Sequence, residues 1–130
     1  MTATIEEMFW QSRALDRFRG HEIITEEIRG QLPVLGSQTD PETGEVPDLP
    51  VLLKVFDPGG RGSWYATEFD PETGNCFGFA QSPLGPDCDE LGYFNLWELG
   101  SITNKRGLPL ERDCYWTPCL LSEVQSGEKR

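Results

Sequence analysis

The chain has 130 residues, with 22 acidic and 11 basic side chains, one histidine and a net charge of −11. Its apolar fraction of 37% is enough for one core in a domain of this size, and no apolar run approaches the ~20 residues that span a bilayer. Such acidity argues against direct nucleic-acid binding, in which phosphates are met by lysine and arginine.

The negative charge is concentrated. Residues 38–100 hold 12 acids and 2 bases, whereas the other 67 residues hold 10 acids and 9 bases. That asymmetry points to a positively charged partner. The first ten residues carry Glu6 and Glu7 and lack the basic start of a secretory signal, so the expected compartment is the cytoplasm.

Residues 4–18 read as an amphipathic helix. Thr4 caps it, and Glu6 and Glu7 sit in the first turn, where the helix dipole favours anions. Ile5, Met8, Phe9, Ser12, Leu15 and Phe18 recur at helical spacing, and Gly20 ends the helix. The stripe is expected to cover the domain's own sheet; the alternative is a homodimer through this N-terminal helix. His21 follows as a candidate cap for helix carbonyls. A second short helix starts at Thr25 and must stop before Pro33.

Residues 36–50, GSQTDPETGEVPDLP, form a polar loop before a β-type run at Val51–Phe56. The turn Asp57-Pro58-Gly59-Gly60 closes that run. Gly59-Gly60-Arg61-Gly62 lacks the Lys-Ser/Thr of a phosphate loop and reads as a tight turn with an exposed arginine.

The best-defined element is a hairpin of residues 63–69 and 75–80 around Asp70-Pro71-Glu72-Thr73-Gly74. The favoured register pairs Asp70 with Asn75. It puts Trp64, Ala66, Glu68, Phe77 and Phe79 on one face, and Tyr65, Thr67, Phe69, Cys76, Gly78 and Ala80 on the other. Aromatics on both faces imply that both are covered. DPETG occurs at 40–44 and again at 70–74 with unlike flanks, which indicates recurring turn chemistry rather than a repeat unit.

Beyond the loop 82–86 come Asp87, Asp89 and Glu90. Gly92-Tyr93-Phe94 then leads into a short helix capped by Asn95 and ended by Gly100. A last strand is expected at Cys114-Tyr115-Trp116, one helical turn at 120–124, and a mobile tail from Gln125. The architecture expected is α+β: a small antiparallel sheet centred on the β-hairpin, with two to three helices packed on it. Residues 1–22 are an N-terminal helix addition, 23–124 a single domain and 125–130 the tail.

The blocks TEEIRGQLP (25–33), WYATEFDP (64–71), ELGYFNLWEL (90–99) and GLPLERD (107–113) carry a resemblance. In order and spacing the chain resembles the domain-of-unknown-function 2958 family of bacterial proteins, over roughly residues 23–124. The family is met mainly on plasmids, integrative elements and phages. The resemblance implies a mobile-element setting and no mechanism. It does not extend to the helix at 4–18 or to the DPETG-containing part of the 36–50 loop.

Catalytic chemistry finds little support. Glu68 with Glu98, or Glu111 with Asp113 beside Arg112, could form a carboxylate pair for a small enzyme. Among 22 acids, however, such pairs arise by chance. His21 has no local cysteine for nucleophilic catalysis. Cys76, Cys88, Cys114 and Cys119 lack the tight pairs of a structural zinc module, and they read as reduced thiols. No cofactor, metal or catalytic residue is assigned. The reading is a non-enzymatic acidic interaction protein that inhibits a host nucleic-acid-binding defence complex by phosphate mimicry. Its partner is a host protein with a basic nucleic-acid-binding surface, with no direct nucleic acid and no membrane. The partner-binding residues are Asp40, Glu42, Glu45, Asp70, Glu72, Asp87, Asp89 and Glu90, on predicted loops that also carry Asp48.

Overall fold

A computed structural model describes residues 3–130; Met1 and Thr2, the start of the 1–22 segment, lie outside the described residues. In chain order come α1 (Ile5–Arg19), α2 (Glu26–Gln31), β1 (Pro50–Val51), β2 (Leu53–Phe56), β3 (Ser63–Phe69), β4 (Asn75–Gln81), a 3-10 turn at Pro86–Cys88, β5 (Glu90–Asn95), α3 (Leu96–Ser101), β6 (Glu111–Arg112), β7 (Cys119–Leu120) and α4 (Leu121–Ser126). Five strands form an antiparallel sheet in the order β5-β4-β3-β2-β6, and β1 pairs with β7. The chain is therefore α+β.

The DPETG turn closes β3 onto β4 for local reasons. Asp70 N–H donates to the Asn75 carbonyl at 2.8 Å and Gly74 N–H to the Asp70 carbonyl at 2.8 Å. Asp70 Oδ1 accepts from Glu72 N–H at 2.9 Å, and Gly74 takes φ +83°. Residues 40–45 repeat every one of these features: Asp40 N–H to Glu45 carbonyl and Gly44 N–H to Asp40 carbonyl, both 2.8 Å, Glu42 N–H to Asp40 Oδ1, and Gly44 at φ +74°. The pentapeptide thus builds one turn in two unrelated places.

Asp70 meets Asn75 as expected, but the expected faces need correction. The β3–β4 register shifts between Ala66 and Glu68, leaving Thr67 as the extra residue of a bulge. Glu68 and Phe69 oppose Phe77 and Cys76, while Tyr65 opposes Phe79 and Trp64 opposes Ala80. Trp64 and Ala66 therefore share a face with Phe69 and Cys76, and Tyr65 shares one with Phe79. A Cβ on Gly78 would lie 1.7 Å from the Tyr65 carbonyl oxygen, so the close approach of the two strands needs glycine there.

Both faces are covered. On one, Leu53, Val55, Ala66, Phe69 and Cys76 pack with Ile23, Leu32, Leu96, Trp97, Leu99 and Leu110. On the other, Val51, Tyr65 and Phe79 pack with Val124, Trp116 and Leu121. Lys54 lies 5.5 Å from the Tyr65 and Trp116 ring centroids on that second face.

Two further expectations are corrected. Gly92-Tyr93-Phe94, read as a lead into a helix, belongs to the six-residue edge strand β5 (Glu90–Asn95). Conversely, Cys114-Tyr115-Trp116 is not a strand. Asp113 Oδ1 accepts from Tyr115 N–H at 2.9 Å and folds a turn, Tyr115 is 95% exposed, and Trp116 donates from Nε1 to the Val51 carbonyl. The tail read as mobile from Gln125 carries the last two residues of α4, and Arg130 Nε returns to the Val124 carbonyl at 3.0 Å.

α1 packs on α3 rather than flat on the sheet. Its contact face centres on Ser12 and Arg19, both buried, which leaves Phe18 at 76% exposure, outside the stripe expected to cover the sheet. Gly100, expected to end α3, lies inside it because α1 passes so close: a Cβ there would sit 2.1 Å from Ser12 Oγ. Arg19 is the clasp. Its guanidinium donates to the carbonyls of Ser12, Gly100 and Leu110 and to Asp16 Oδ1. His21 is also an acceptor rather than a cap, since its Nε2 takes the Arg112 N–H at 3.1 Å. Burial, reinforced by Arg112, lowers its pKa and keeps the ring neutral for that bond. Removing the clasp strands three carbonyls and a carboxylate, so Arg19→Ala is expected to cost about 3 kcal/mol of unfolding free energy in urea titration. Arg19→Lys, which cannot reach all four acceptors, should recover less than half of that.

Candidate functional site

A concave surface lies where α1, α2 and the 70–74 turn meet above Trp97. Three rings build it in sequence: Phe9 against Trp97 at 4.9 Å and Trp97 against Phe69 at 5.8 Å, both edge-to-face. Arg29 lies over the Phe69 and Trp97 rings, 5.9 Å from each centroid, and donates to the Pro71 carbonyl at 3.2 Å. Ile5, Glu6, Phe9, Arg29, Pro71, Glu72 and Trp97 line a groove of about 510 Å³. An adjoining cleft of about 290 Å³ shares Phe9, Arg29 and Trp97 and adds Arg13, Asp16, Glu22 and Glu26. The floor is apolar and the exposed rim carries Glu6, Glu72 and Glu26. Gly74 holds the turn against Trp97 so closely that a Cβ would meet Trp97 Cδ1 at 2.2 Å. The sequence signal for this groove was present in Phe9, the DPETG turn and Trp97, but nothing in their order shows that they converge.

The eight acidic residues singled out from the sequence fall into two groups. Asp70 and Glu72 sit on the β3–β4 turn. The 36–50 loop reaches that same end of the sheet, where Gln38 N–H donates to Glu68 Oε2 and Leu35 N–H to the Phe69 carbonyl. Asp40, Glu42 and Glu45 lie on that loop. Asp87, Asp89 and Glu90 lie at the opposite end, beyond Gln81, which pairs with Ser63 at the start of β3. Seven strand residues separate the two ends, about 20 Å.

The acids also divide by residue type. Of the eight aspartates, seven accept hydrogen bonds inside the protein: Asp16, Asp40, Asp48, Asp57, Asp70, Asp89 and Asp113. Hydrogen bonds from the following backbone hold the Asp40 and Asp70 carboxyls below the usual range. Asp89 forms a two-pronged pair with Arg61 at 2.6 and 2.5 Å and accepts Ser82 N–H at 2.8 Å. Arg61, expected to be exposed, is thus the latch of the 82–89 loop. Among the 14 glutamates, only Glu68 and Glu123 accept such bonds among the described residues. Free carboxylate at the surface is therefore mostly glutamate.

Of the carboxylate pairs weighed for catalysis, the first is split between two faces of the sheet and the second lies along one connecting segment. Glu68 is buried on the α4 face of the sheet, whereas Glu98 is exposed on α3 against the opposite face. Glu111, Arg112 and Asp113 form a hydrogen-bonded connector: Arg112 Nε donates to the Glu22 carbonyl, Asp113 N–H to the Lys54 carbonyl. Cys76 lies in the core under the helices, where burial raises its thiol pKa above the ordinary value; Cys119 lies in the cluster on the other face, and Cys88 and Cys114 are exposed. Among the described residues, no three His, Cys, Asp or Glu side chains group as metal ligands, and no helix is long and apolar enough to cross a membrane.

The family model described as "Protein of unknown function (DUF2958)" matches residues 23–123, and the chain belongs to that family. The matched stretch contains the whole five-stranded sheet, α2 and α3, while α1 precedes it. No curated protein and no solved structure matches the chain.

The Arg61 hydrogen bonds bring the Asp89 pKa down to about 2. A carboxyl with a depressed folded pKa stabilises the fold above its unfolded value, near 3.9, and loses that contribution as pH falls toward about 2. Asp89→Asn should therefore flatten the acid limb of the melting temperature against pH in that window, read by circular dichroism. An unchanged acid limb would contradict the latch.

Proposed function

We propose that the protein is a non-enzymatic binding protein that meets a basic surface of a partner protein through the Trp97 groove and the glutamates beside it. The single observation that supports this is an apolar, aromatic-floored groove whose rim carries Glu6 on α1, Glu26 on α2 and Glu72 on the turn, beside Arg13 and Arg29. Interfaces of this kind draw affinity from an apolar centre and orientation from a charged rim. The two DPETG turns hold Glu42 and Glu72 on similar, hydrogen-bonded backbones, so each costs little local ordering on binding. Carboxylates so held are suitable stand-ins for phosphates in a lysine- or arginine-lined channel. Together with the mobile-element setting implied by the resemblance, this favours inhibition of a host nucleic-acid-binding defence complex. In the acidic group at this end of the sheet the burden falls on Glu72, which lines the groove, and on Glu42 and Glu45 of the 36–50 loop, rather than on Asp40 and Asp70, whose carboxylates hold the turns.

The test compares two charge reversals in capture of partners from bacterial lysate at low and high salt. Glu42→Lys/Glu45→Lys/Glu72→Lys should lose the salt-sensitive partner that the native chain recovers, while Glu128→Lys, an exposed position that belongs to neither acidic group, should keep it. Equal recovery by both variants would rule out this surface.

A further inference from the structure

β5 is an open edge of the five-stranded sheet: β4 pairs with one side, and among the described residues no strand pairs with the other. Leu96 N–H donates to the Gly74 carbonyl at 2.8 Å, the hydrogen-bonded pair at the turn end of the β4–β5 ladder. Alternation then turns the N–H and C=O of Phe94, Gly92 and Glu90 toward β4, and those of Leu91 and Tyr93 outward. The edge has none of the usual protection. Residues 90–95 contain no proline and no lysine, their register with β4 is unbroken, and their one charge, Glu90, sits at an end. The side chains beside the free backbone are apolar. Tyr93 is 75% and Leu91 40% exposed. Tyr93 stacks edge-on against Phe77 at 5.3 Å, and the cluster under α4 reaches Phe79 but not Phe77.

Charge selects the occupant. Residues 75–101 carry Asp87, Asp89, Glu90 and Glu98 and no lysine or arginine. Asp89 is already paired with Arg61, and Arg130, 5.5 Å from the centroid of the Phe79 ring that neighbours Leu91, is the chain's own cation near that end, which leaves Asp87 and Glu90 as acids without a partner among the described residues. A second copy, with its own charge of −11, would bring like charge to like at this edge. We propose that the β5 edge captures an extended, cationic segment of a partner protein by strand addition. Its backbone pairs with Leu91 and Tyr93, its alternate apolar side chains cover Tyr93, Leu91 and Phe77, and its lysines or arginines meet Glu90 and Asp87. This surface is separate from the Trp97 groove and takes from the proposed function only the sign of the partner's charge.

The probe is a synthetic peptide as long as β5 with alternating valine and lysine, added to the full chain. It should bind and slow hydrogen exchange at the Leu91 and Tyr93 amides, whereas a valine–glutamate peptide and an N-methylated valine–lysine peptide should not. Tyr93→Pro removes an outward donor while sparing the β4–β5 ladder, as proline does on edges. It should weaken binding about tenfold or more, the loss expected for one unpaired backbone group. Tyr93→Lys keeps that N–H and adds like charge to the probe, so it should weaken binding even if the proline variant loosens β5. Equal binding by both variants, equal binding of the N-methylated peptide, protection confined to other amides, or self-association that protects these amides would each overturn the proposal. The Glu42→Lys/Glu45→Lys/Glu72→Lys chain should bind the peptide as the native chain does, so failure at the groove and failure at the edge are told apart.

Discussion

The buried guanidinium of Arg19 holds the molecule's helical layer together. A charge without water is tolerable only when its donors are met, and here three carbonyls and Asp16 meet them. Those acceptors come from α1, from α3 and from the segment before β6, so one side chain fixes three parts of the chain relative to one another. Burial pulls the Arg19 pKa down and Asp16 opposes that pull, which keeps the group charged. With α1 held at this distance, Ser12 lies against Gly100 and Phe9 reaches Trp97. The groove above Trp97 is a consequence of that docking.

Much of the fold was legible because it is local. Thr4, Thr25 and Asn95 each accept the backbone N–H three residues on, as N-cap chemistry requires. DPETG makes the same turn wherever it stands. What escaped the sequence is set by distant partners. The Thr67 bulge depends on how β4 passes Tyr65, and one inserted residue moves Trp64 and Tyr65 to opposite faces from those expected. β5 alternates across Gly92, where glycine weakens the strand signal; its pairing with β4 supplies the missing preference. The same logic hid the clasp. An arginine in the last turn of a helix is usually a solvated dipole partner, and only the carbonyls of Gly100 and Leu110, 81 and 91 residues further on, make Arg19 a core residue.

Counting acids by position marked one set of residues, which the fold divides between two ends of the sheet, and could not tell structural carboxylates from available ones. That last distinction follows from side-chain length. Aspartate's short arm returns to its own backbone two residues on, as at Asp40, Asp57, Asp70 and Asp113, and is thereby committed to the turn. Glutamate's longer arm reaches past the backbone to solvent. The candidate sites therefore rest on glutamates placed by aspartates: Glu42 beside Asp40, Glu72 beside Asp70, Glu90 beside Asp89.

That pairing explains why the two surfaces differ in character. At the turn end, α1 supplies Ile5, Glu6 and Phe9 from outside the family match, and the matched stretch supplies Arg29, Pro71, Glu72 and Trp97, so the groove exists only where both are present. The β5 edge lies wholly inside the matched stretch and needs no part of α1. A groove with a shaped floor selects side chains, whereas an open strand edge selects backbone and alternation. The two surfaces meet at one turn: β5 ends at Asn95, whose Nδ2 donates to the Thr73 carbonyl of the turn that walls the groove.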